Sequence, residues 1–334
     1  MGNTCKIFDP YPKDSREYFY DNEEVLNDVE KLLQGKFWPL ILGPKRVGKT
    51  SIAKIVSKEL NGVFVDASGI KSLKEFGNLL LNNLYVSRLQ IDLKLFRIEI
   101  QKRPVTGIQN LLAKLDDTII VIDEVQNITT PWFISVLSTA YNTSNVRFAF
   151  TGSMIGLSKI LTGESKGKKI SFQFKGRPIV KMEVSPFDDK KSEEFLKYGM
   201  RKCNIEMNEE EIYDAVKTYR GIVGWLTYYG NFRSLGYSHE KAKEIVNEIA
   251  KSIIADEIKQ FGELERAILK SLSMTKEINW TDLKKITESL TGRKIEDWSF
   301  NHALEQLIAA RLVFKKNSEY SLIDPMYYLI KNIV

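Results

Sequence analysis

Eight consecutive residues, Gly43-Pro44-Lys45-Arg46-Val47-Gly48-Lys49-Thr50, have the G-x-x-x-x-G-K-[ST] spacing of a phosphate-binding loop. In such a loop, backbone N–H groups close around phosphate oxygens, and the N-terminus of the following helix adds its positive end. We expect the Lys49 ammonium to contact the β- and γ-phosphates of a nucleotide, and the Thr50 hydroxyl to bind Mg²⁺. The residues predicted to contact the nucleotide here are Gly43, Pro44, Lys45, Arg46, Val47, Gly48, Lys49, Thr50 and Ser51.

The alternative for the same residues is a glycine turn between a strand and a helix that binds nothing. The flanking sequence disfavours this alternative, because the apolar run Trp38–Leu42 precedes the loop and a helix-like stretch at 51–60 follows it. A strand before the loop and a helix after it are the context that the motif requires.

The acidic pair Asp123-Glu124 is the second candidate, and it ends the apolar run 118–123. An acid at the carboxyl end of a parallel strand lies in the crevice where nucleotides bind in open sheets. We expect Asp123 to hold Mg²⁺ through water and Glu124 to polarise the water that attacks the γ-phosphate. The pair alone is equally consistent with a simple strand end, and its combination with the upstream loop favours the catalytic interpretation.

Two further candidate groups for phosphate contacts are each equally consistent with a role that involves no ligand. The run 147–150 is followed by Thr151-Gly152-Ser153, whose hydroxyls either contact the γ-phosphate or cap a turn. Arg177 either brings a cation to the transition state, in its own subunit or a neighbour's, or is one more cation in a basic segment. That segment, 159–181, contains seven basic residues and one acidic residue.

The elements that must position these residues are short strands alternating with helices. Strands are predicted at 38–42, 63–66, 118–123, 147–150 and 179–184, and helical spacing of Leu, Ile and Val follows Thr50, Leu73 and Pro131. Nearly continuous apolar strands separated by helices indicate a parallel sheet that is covered on both faces. We therefore predict an α/β fold with a P-loop NTPase core over residues 1–187.

Beyond Pro186 the pattern changes to helices, and after residue 260 it becomes mixed. Helices are predicted at 188–203, 208–219, 225–235 and 238–260, which indicates a helical lid over residues 188–260. The last part, 261–334, is predicted to contain helices at 263–273, 280–291 and 299–310 and a hairpin of 312–315 with 320–323. Three helices and a terminal hairpin are typical of a winged-helix domain.

Composition narrows the class of protein. The chain has 334 residues, a formal net charge of +6, two cysteines and two histidines. No run approaches the ~18 apolar residues that span a bilayer, and no signal-peptide pattern opens the chain. Cys5 and Cys203 are too few for a disulfide framework, which favours a reducing compartment, and His239 and His302 are far apart in sequence. We expect a cytoplasmic protein without a membrane contact or a zinc site.

Taken in order, these motifs resemble the archaeal ATPase family, a branch of the STAND and AAA+-like P-loop NTPases. The resemblance runs from Phe19 to the C-terminus through residues 43–50, 123–126, 150–153, 176–177, 221–226 and 320–326. It implies ATP or ADP as ligand, Mg²⁺ as cofactor, a helical lid and a C-terminal winged helix. Asn22 stands where the family has an arginine. The family's lid motif is Gly-Gly-x-Pro, and its proline lies near the adenine. Residues 220–223 of this chain lack the first glycine and the proline. The resemblance therefore implies that Val223, at the position of the proline, packs on the adenine.

The sequence therefore predicts an Mg²⁺-dependent ATP-binding protein, with slow hydrolysis coupled to movement of the lid and winged helix. One alternative is a nucleotide-gated switch with negligible turnover that binds a protein partner, and another is a winged-helix DNA-binding ATPase. DNA binding is less favoured because residues 261–334 contain eleven basic and ten acidic side chains, and DNA affinity depends on phosphate contacts. An unidentified protein partner is expected, and oligomer formation is left open.

Overall fold

A computed structural model describes residues 5–20, 23–86, 93–152 and 179–332 of the chain. The chain divides into two compact units. Unit 1 comprises Met1–Tyr11, Pro44–Val47 and Ser185–Val334, and unit 2 comprises Pro12–Gly43 and Gly48–Val184. The domain boundaries after residues 187 and 260 stay a prediction. No helix within the described ranges is both long and apolar enough to cross a membrane.

Unit 2 is built on a five-stranded parallel sheet with the strand order β2-β3-β4-β1-β5. The strands are β1 (Trp38–Leu42), β2 (Val63–Asp66), β3 (Ile119–Asp123), β4 (Arg147–Gly152) and β5 (Ile179–Glu183). Phe150 of β4 lies opposite both Leu40 of β1 and Ile122 of β3, so the carboxyl ends of these three strands are adjacent. β1 and β3 are buried along their whole length, which confirms the prediction of a parallel sheet covered by helices.

Unit 2 has six described α-helices, the last four of which form one continuous apolar core with the sheet. They are α1 (Glu23–Gln34), α2 (Lys49–Glu59), α3 (Leu73–Val86), α4 (Leu93–Lys102), α5 (Pro104–Lys114) and α6 (Pro131–Thr143). The sequence predicts helices at α2, α3 and α6, whereas α1, α4 and α5 are additional. A Cβ on Gly107 of α5 would lie 2.7 Å from the backbone nitrogen of Ile100, so this glycine lets α4 and α5 approach closely.

β4 is longer than predicted, and its additional residues include one of the candidate site residues. The strand continues past Phe150, and Thr151 and Gly152 pair with Ile41 and Leu42 of β1. Thr151 is therefore a strand residue and does not cap a turn. Ser153, Arg177, Asn22 and the basic segment up to residue 178 lie outside the described residues.

Unit 1 contains four helices of the predicted lid, α7 (Asp189–Cys203), α8 (Glu209–Tyr219), α9 (Val223–Ser234) and α10 (His239–Ile258). The side chains of Asp188, Asn208 and Ser238 accept hydrogen bonds from backbone N–H groups in the first turns of α7, α8 and α10. Because these capping residues mark helix starts in the sequence, the predicted starts lie within two residues of those in the structure.

The C-terminal part of unit 1 has three helices and an antiparallel sheet with the order β6-β8-β7. The elements are α11 (Glu263–Ser273), β6 (Ile278–Asn279), α12 (Trp280–Thr291), α13 (Asp297–Ala309), β7 (Val313–Lys316), β8 (Glu319–Leu322) and a 3₁₀ helix (Pro325–Asn332). Asn317 and Ser318 between β7 and β8 have φ values of 48° and 66°, which suit a two-residue hairpin turn. The short strand β6 was not predicted.

The N-terminal segment of unit 1 is fastened to its helices. The Phe8 ring is fully buried, and a Cβ on Gly199 of α7 or Gly230 of α9 would overlap it. The sequence predicts no disulfide framework, yet the structure joins Cys5 to Cys203, with Cα atoms 5.3 Å apart. A bond across a sequence separation of 198 residues is worth about 5 kcal/mol of folding stability in the chain-entropy model. The cysteine count therefore no longer supports a reducing compartment.

Candidate nucleotide-binding site

The predicted phosphate loop connects β1 to α2, as the motif requires. Gly48 has a φ of 97° and is the N-cap residue of α2. Glycine alone adopts this conformation without strain, and a Cβ here would also contact the Phe19 ring at 3.4 Å. Since Gly48 has no side chain to cap the helix, the first N–H groups of α2 are suited to bind an anion.

The first three residues of α2 differ in what their side chains do. Lys49 is buried, with 5% of its surface exposed. Thr50 donates a hydrogen bond from its hydroxyl to the carboxylate of Asp123, at the end of β3. The Ser51 hydroxyl accepts a hydrogen bond from the backbone N–H of Lys13 at 3.0 Å. The Ser51 side chain is therefore used inside the protein, which leaves its backbone N–H for the predicted ligand contact.

Thr151 joins the two predicted acids. Its side chain is fully buried, and its hydroxyl donates to Oδ1 of Asp123 and accepts the backbone N–H of Glu124 at 3.1 Å. These contacts cross from β4 to β3, so they depend on the register of the two strands. The structure thus brings Thr50, Asp123, Glu124 and Thr151 together in unit 2.

The electrostatics of Asp123 favour a bound cation. Burial raises the pKa of its carboxyl group, hydrogen bonds from Thr151 and Thr50 lower it, and the nearby Glu124 and Asp66 raise it further. The net pKa is above the usual value, because a buried anion is poorly solvated. The donors at this point are a hydroxyl and a carboxylate, which are the hard oxygen ligands that Mg²⁺ prefers. Thr50 and Asp123 therefore fit the predicted metal.

Glu124 has an unusual backbone conformation, with a φ of 52°. Non-glycine residues rarely adopt positive φ values, and the hydrogen bond to Thr151 helps to hold this one. The Glu124 side chain is half-buried, and its Oε2 accepts a hydrogen bond from Nε2 of Gln126. A carboxylate held in this way, next to Asp123, is suited to orient and polarise a water molecule.

Gly43, directly after β1, is buried in unit 2, and the remaining predicted contacts belong to unit 1. Pro44 and Val47 are buried, and Val223 is the half-buried first residue of α9. The Lys45 ammonium lies 3.3 Å from Oε1 of Glu257, and the Arg46 guanidinium lies 2.6 Å from the same oxygen. Lys45 and Arg46, the two cations at the tip of the loop, are thus paired with a carboxylate.

Sequence reasoning missed two acids that hold these cations. Glu257 lies near the end of α10, and no motif distinguishes it from the other acids of that helix. Asp324 bonds to Arg46 at 3.4 Å, and the only available signal was its place in the 320–326 motif of the family resemblance. The partners are 211 and 278 residues from Arg46 in sequence, beyond the reach of any local pattern.

Thr151→Val is expected to slow ATP hydrolysis by about 10-fold or more, because a lost hydrogen bond to a charged group is worth about 1.5–3 kcal/mol. The valine keeps the side-chain volume but cannot bond to Asp123 or Glu124. Thr151→Ser keeps the hydroxyl and is expected to restore most of the rate, which phosphate-release kinetics would measure. Equal rates for the valine and serine variants would contradict a positioning role for this hydroxyl.

A phosphate loop after the first strand of a parallel sheet, with an acidic pair at the end of a neighbouring strand, defines a P-loop ATPase fold. Residues 19–229 match the model of a family described as an ATPase domain predominantly from Archaea. This match covers more than half of the chain, and the protein belongs to that family. The family assignment confirms the resemblance recognised in the sequence.

A solved structure supports the same fold. The chain is similar to the Walker-type ATPase PABY2304 of Pyrococcus abyssi, with a TM-score of 0.83, 24% identity, and 98% of this chain and 99% of that chain covered. The STAND protein PH0952 of Pyrococcus horikoshii, which has a tetratricopeptide repeat sensor, matches 97% of this chain and 44% of its own at 15% identity and a TM-score of 0.42. The RuvB Holliday junction branch migration motor of Thermotoga maritima matches 97% of this chain and 99% of its own at 15% identity and a TM-score of 0.49. No curated protein matches the sequence.

Proposed function

We propose that the protein binds Mg²⁺–ATP and hydrolyses it slowly. The observation that carries this proposal is the set of contacts among Thr50, Asp123, Thr151 and Glu124, next to the uncapped N-terminus of α2. A buried carboxylate without a counterion is costly, and so are helix N–H groups that have no acceptor. The same pair of features is favourable where an anion and a cation bind together.

The residues have distinct roles in the proposed reaction. The N–H groups of the loop and the Lys49 ammonium bind and orient the β- and γ-phosphates. Glu124 orients a water molecule for attack on the γ-phosphorus and accepts its proton as the bond to ADP breaks. Thr151 keeps Asp123 and Glu124 in place. Arg177, which lies outside the described residues, remains the proposed cation for the charge that develops in the transition state.

Thr50 and Asp123 would hold Mg²⁺, which would supply positive charge against the phosphates. The Thr50 and Thr151 hydroxyls orient the Asp123 carboxylate toward that task. Val223 is proposed to pack against the adenine, since an apolar contact needs no specific hydrogen bond.

We further propose that residues 188–260 act as a lid and that residues 261–334 form a winged helix. The succession of three helices with a short strand after the first and a terminal hairpin supports the winged helix. Hydrolysis would then be coupled to movement of these parts and to the binding of a protein partner. A nucleotide-gated switch with negligible turnover is the second candidate, because the cations of the loop tip are already paired with acids.

The test is a calorimetric titration of the full chain with ATP, ADP and GTP, together with a phosphate-release assay with Mg²⁺ and with EDTA. We expect binding of the adenine nucleotides and release of phosphate only with Mg²⁺. Binding without any Mg²⁺-dependent release at any temperature would favour the switch. The absence of binding of all three nucleotides would contradict the proposal.

A further inference from the structure

The tip of the phosphate loop is held by a cluster within unit 1 that the proposed reaction does not use. We call this cluster the loop-tip clamp, and it consists of Lys45, Arg46, Trp225, Glu257 and Asp324. The Arg46 guanidinium lies 2.6 Å from Glu257 and 3.4 Å from Asp324, and its central carbon is 4.4 Å from the centre of the Trp225 ring. The exposed fraction of the Arg46 side chain is only 14%.

Further hydrogen bonds hold the two acids of the clamp. The Trp225 indole N–H lies 2.9 Å from both carboxylate oxygens of Asp324, and the backbone N–H of Met326 donates to Oδ1 at 2.9 Å. The Tyr327 hydroxyl donates to Oε2 of Glu257 at 2.5 Å. Burial opposes ionisation of Glu257, but Arg46 and Lys45 outweigh it and hold the pKa of this carboxyl group below its usual value. The clamp thus contains a partly buried anion, Glu257, that faces two cations.

The clamp also holds the backbone of the loop. Arg46 has a φ of 64°, and its carbonyl accepts the N–H of Gly224 at 2.9 Å. A Cβ on Gly224 would lie 2.8 Å from the Cβ of Arg46, so only glycine allows this approach at the start of α9. The left-handed conformation of a non-glycine residue costs about 1–2 kcal/mol, which these contacts offset. The clamp therefore selects one conformation of the loop tip.

Phosphate and carboxylate groups bind the same cations in the same way. Guanidinium and ammonium groups form charge-assisted hydrogen bonds with both, and arginine binds either one in a bidentate manner. Lys45 and Arg46 lie in the part of the loop whose backbone surrounds phosphates in proteins with this motif. A nucleotide at the loop would meet cations that are already neutralised by Glu257 and Asp324.

We propose that Glu257 and Asp324 compete with nucleotide phosphates for Lys45 and Arg46, so that the clamp lowers the affinity of the loop for nucleotide and is opened by binding. This inference rests on the proposed function, because it concerns nucleotide at the same loop. It assigns Glu257 and Asp324 a regulatory role, as positioning residues that act through Arg46. By linkage, whatever opens the clamp from the C-terminal side raises nucleotide affinity by the same factor.

The first experiment is a calorimetric titration of Asp324→Asn with ATP and ADP. Asparagine retains an oxygen that accepts the Trp225 and Met326 hydrogen bonds, but it loses the charge that binds Arg46. We expect affinity to rise about fivefold or more, in the usual range of coupling between sites. Glu257→Gln should act in the same direction, and the double variant should gain less than the product of the two effects, because both acids act through Arg46.

The matched control is Glu319→Gln, which removes one exposed negative charge from β8 in the same unit. We expect its nucleotide affinity to equal that of the wild type. Equal or weaker binding by Asp324→Asn would overturn the clamp proposal, and so would an equal gain in Glu319→Gln, because the effect would then be general electrostatics. If no protein, including the wild type, binds nucleotide, then the proposed function fails and the clamp proposal fails with it.

The second experiment needs no variant. The amide of Met326 is bonded to Asp324, so its hydrogen exchange reports on the clamp in the wild-type protein. We expect ADP or ATP to accelerate exchange at Met326 and Tyr327. Unchanged or slower exchange at both amides, at a nucleotide concentration that saturates the loop, would show that binding does not open the clamp.

Discussion

Lys49→Ala is expected to weaken ATP binding by about 100-fold or more, beyond the range of an ordinary calorimetric titration. The variant removes the point charge that contacts the β- and γ-phosphates, and the loss of one partner from a buried charge pair costs about 2–5 kcal/mol. The side chain has only 5% of its surface exposed, so little water compensates for the missing ammonium. Calorimetry on the wild type and the variant measures the difference directly.

The control for Lys49→Ala is Lys58→Ala, near the end of the same helix, where the lysine is exposed and pairs with Asp14 at 3.1 Å. We expect this variant to bind ATP like the wild type. Lys49→Met, which keeps the length of the aliphatic chain, separates the lost charge from lost packing and should bind as poorly as the alanine variant. Wild-type affinity in both Lys49 variants would exclude the loop as the phosphate site.

Glu124→Gln is expected to retain ATP affinity and to slow hydrolysis by about 100-fold or more, the usual contribution of a positioned base. Glutamine is nearly isosteric, keeps the backbone N–H bond to Thr151 and can still bond to Gln126. It cannot accept a proton from the attacking water. Single-turnover phosphate release, combined with a binding titration, separates the rate of the chemical step from affinity.

Asp66→Asn is the matched control for Glu124→Gln. Asp66 is the last residue of β2, it lies opposite Asp123 in the sheet, and its charge contributes to the raised pKa of Asp123. Its removal tests the general effect of one negative charge near the site, and we expect the rate to stay within about threefold of the wild type. If Asp66→Asn slowed hydrolysis as much as Glu124→Gln, then Glu124 would have no special role as a base.

The agreement between predicted and observed strands has a simple physical cause. β1 and β3 are covered on both faces, so every residue in them is apolar until the strand reaches the site. Such runs stand out in the sequence without knowledge of the fold. The helix α4 did not stand out, because its residues alternate like a strand and two of its apolar side chains, Leu95 and Ile98, are exposed. Only packing against α5 decides that it is a helix.

The chemistry of the loop and of the acidic pair follows from the sequence by itself. Backbone N–H groups can surround a phosphate only with glycine at Gly43 and Gly48, and the charges of Lys49, Asp123 and Glu124 are properties of residue types. These requirements are local, so a chain of 334 residues displays them within two short segments. The parallel α/β core follows from the alternation of apolar strands with helices, and the family resemblance follows from the whole ordered set of motifs.

The tertiary structure alone decided which groups hold these residues in place. Thr151 reaches Asp123 because β4 pairs with β3 in one register, and a shift by one residue would turn its hydroxyl to the other face of the sheet. Arg46 meets Glu257 and Asp324 across more than two hundred residues of chain. Local patterns record which face of a helix or strand is apolar, but they do not record which distant polar group it meets. That choice depends on the packing of whole elements, because a buried charge is stable only where the fold brings it a partner.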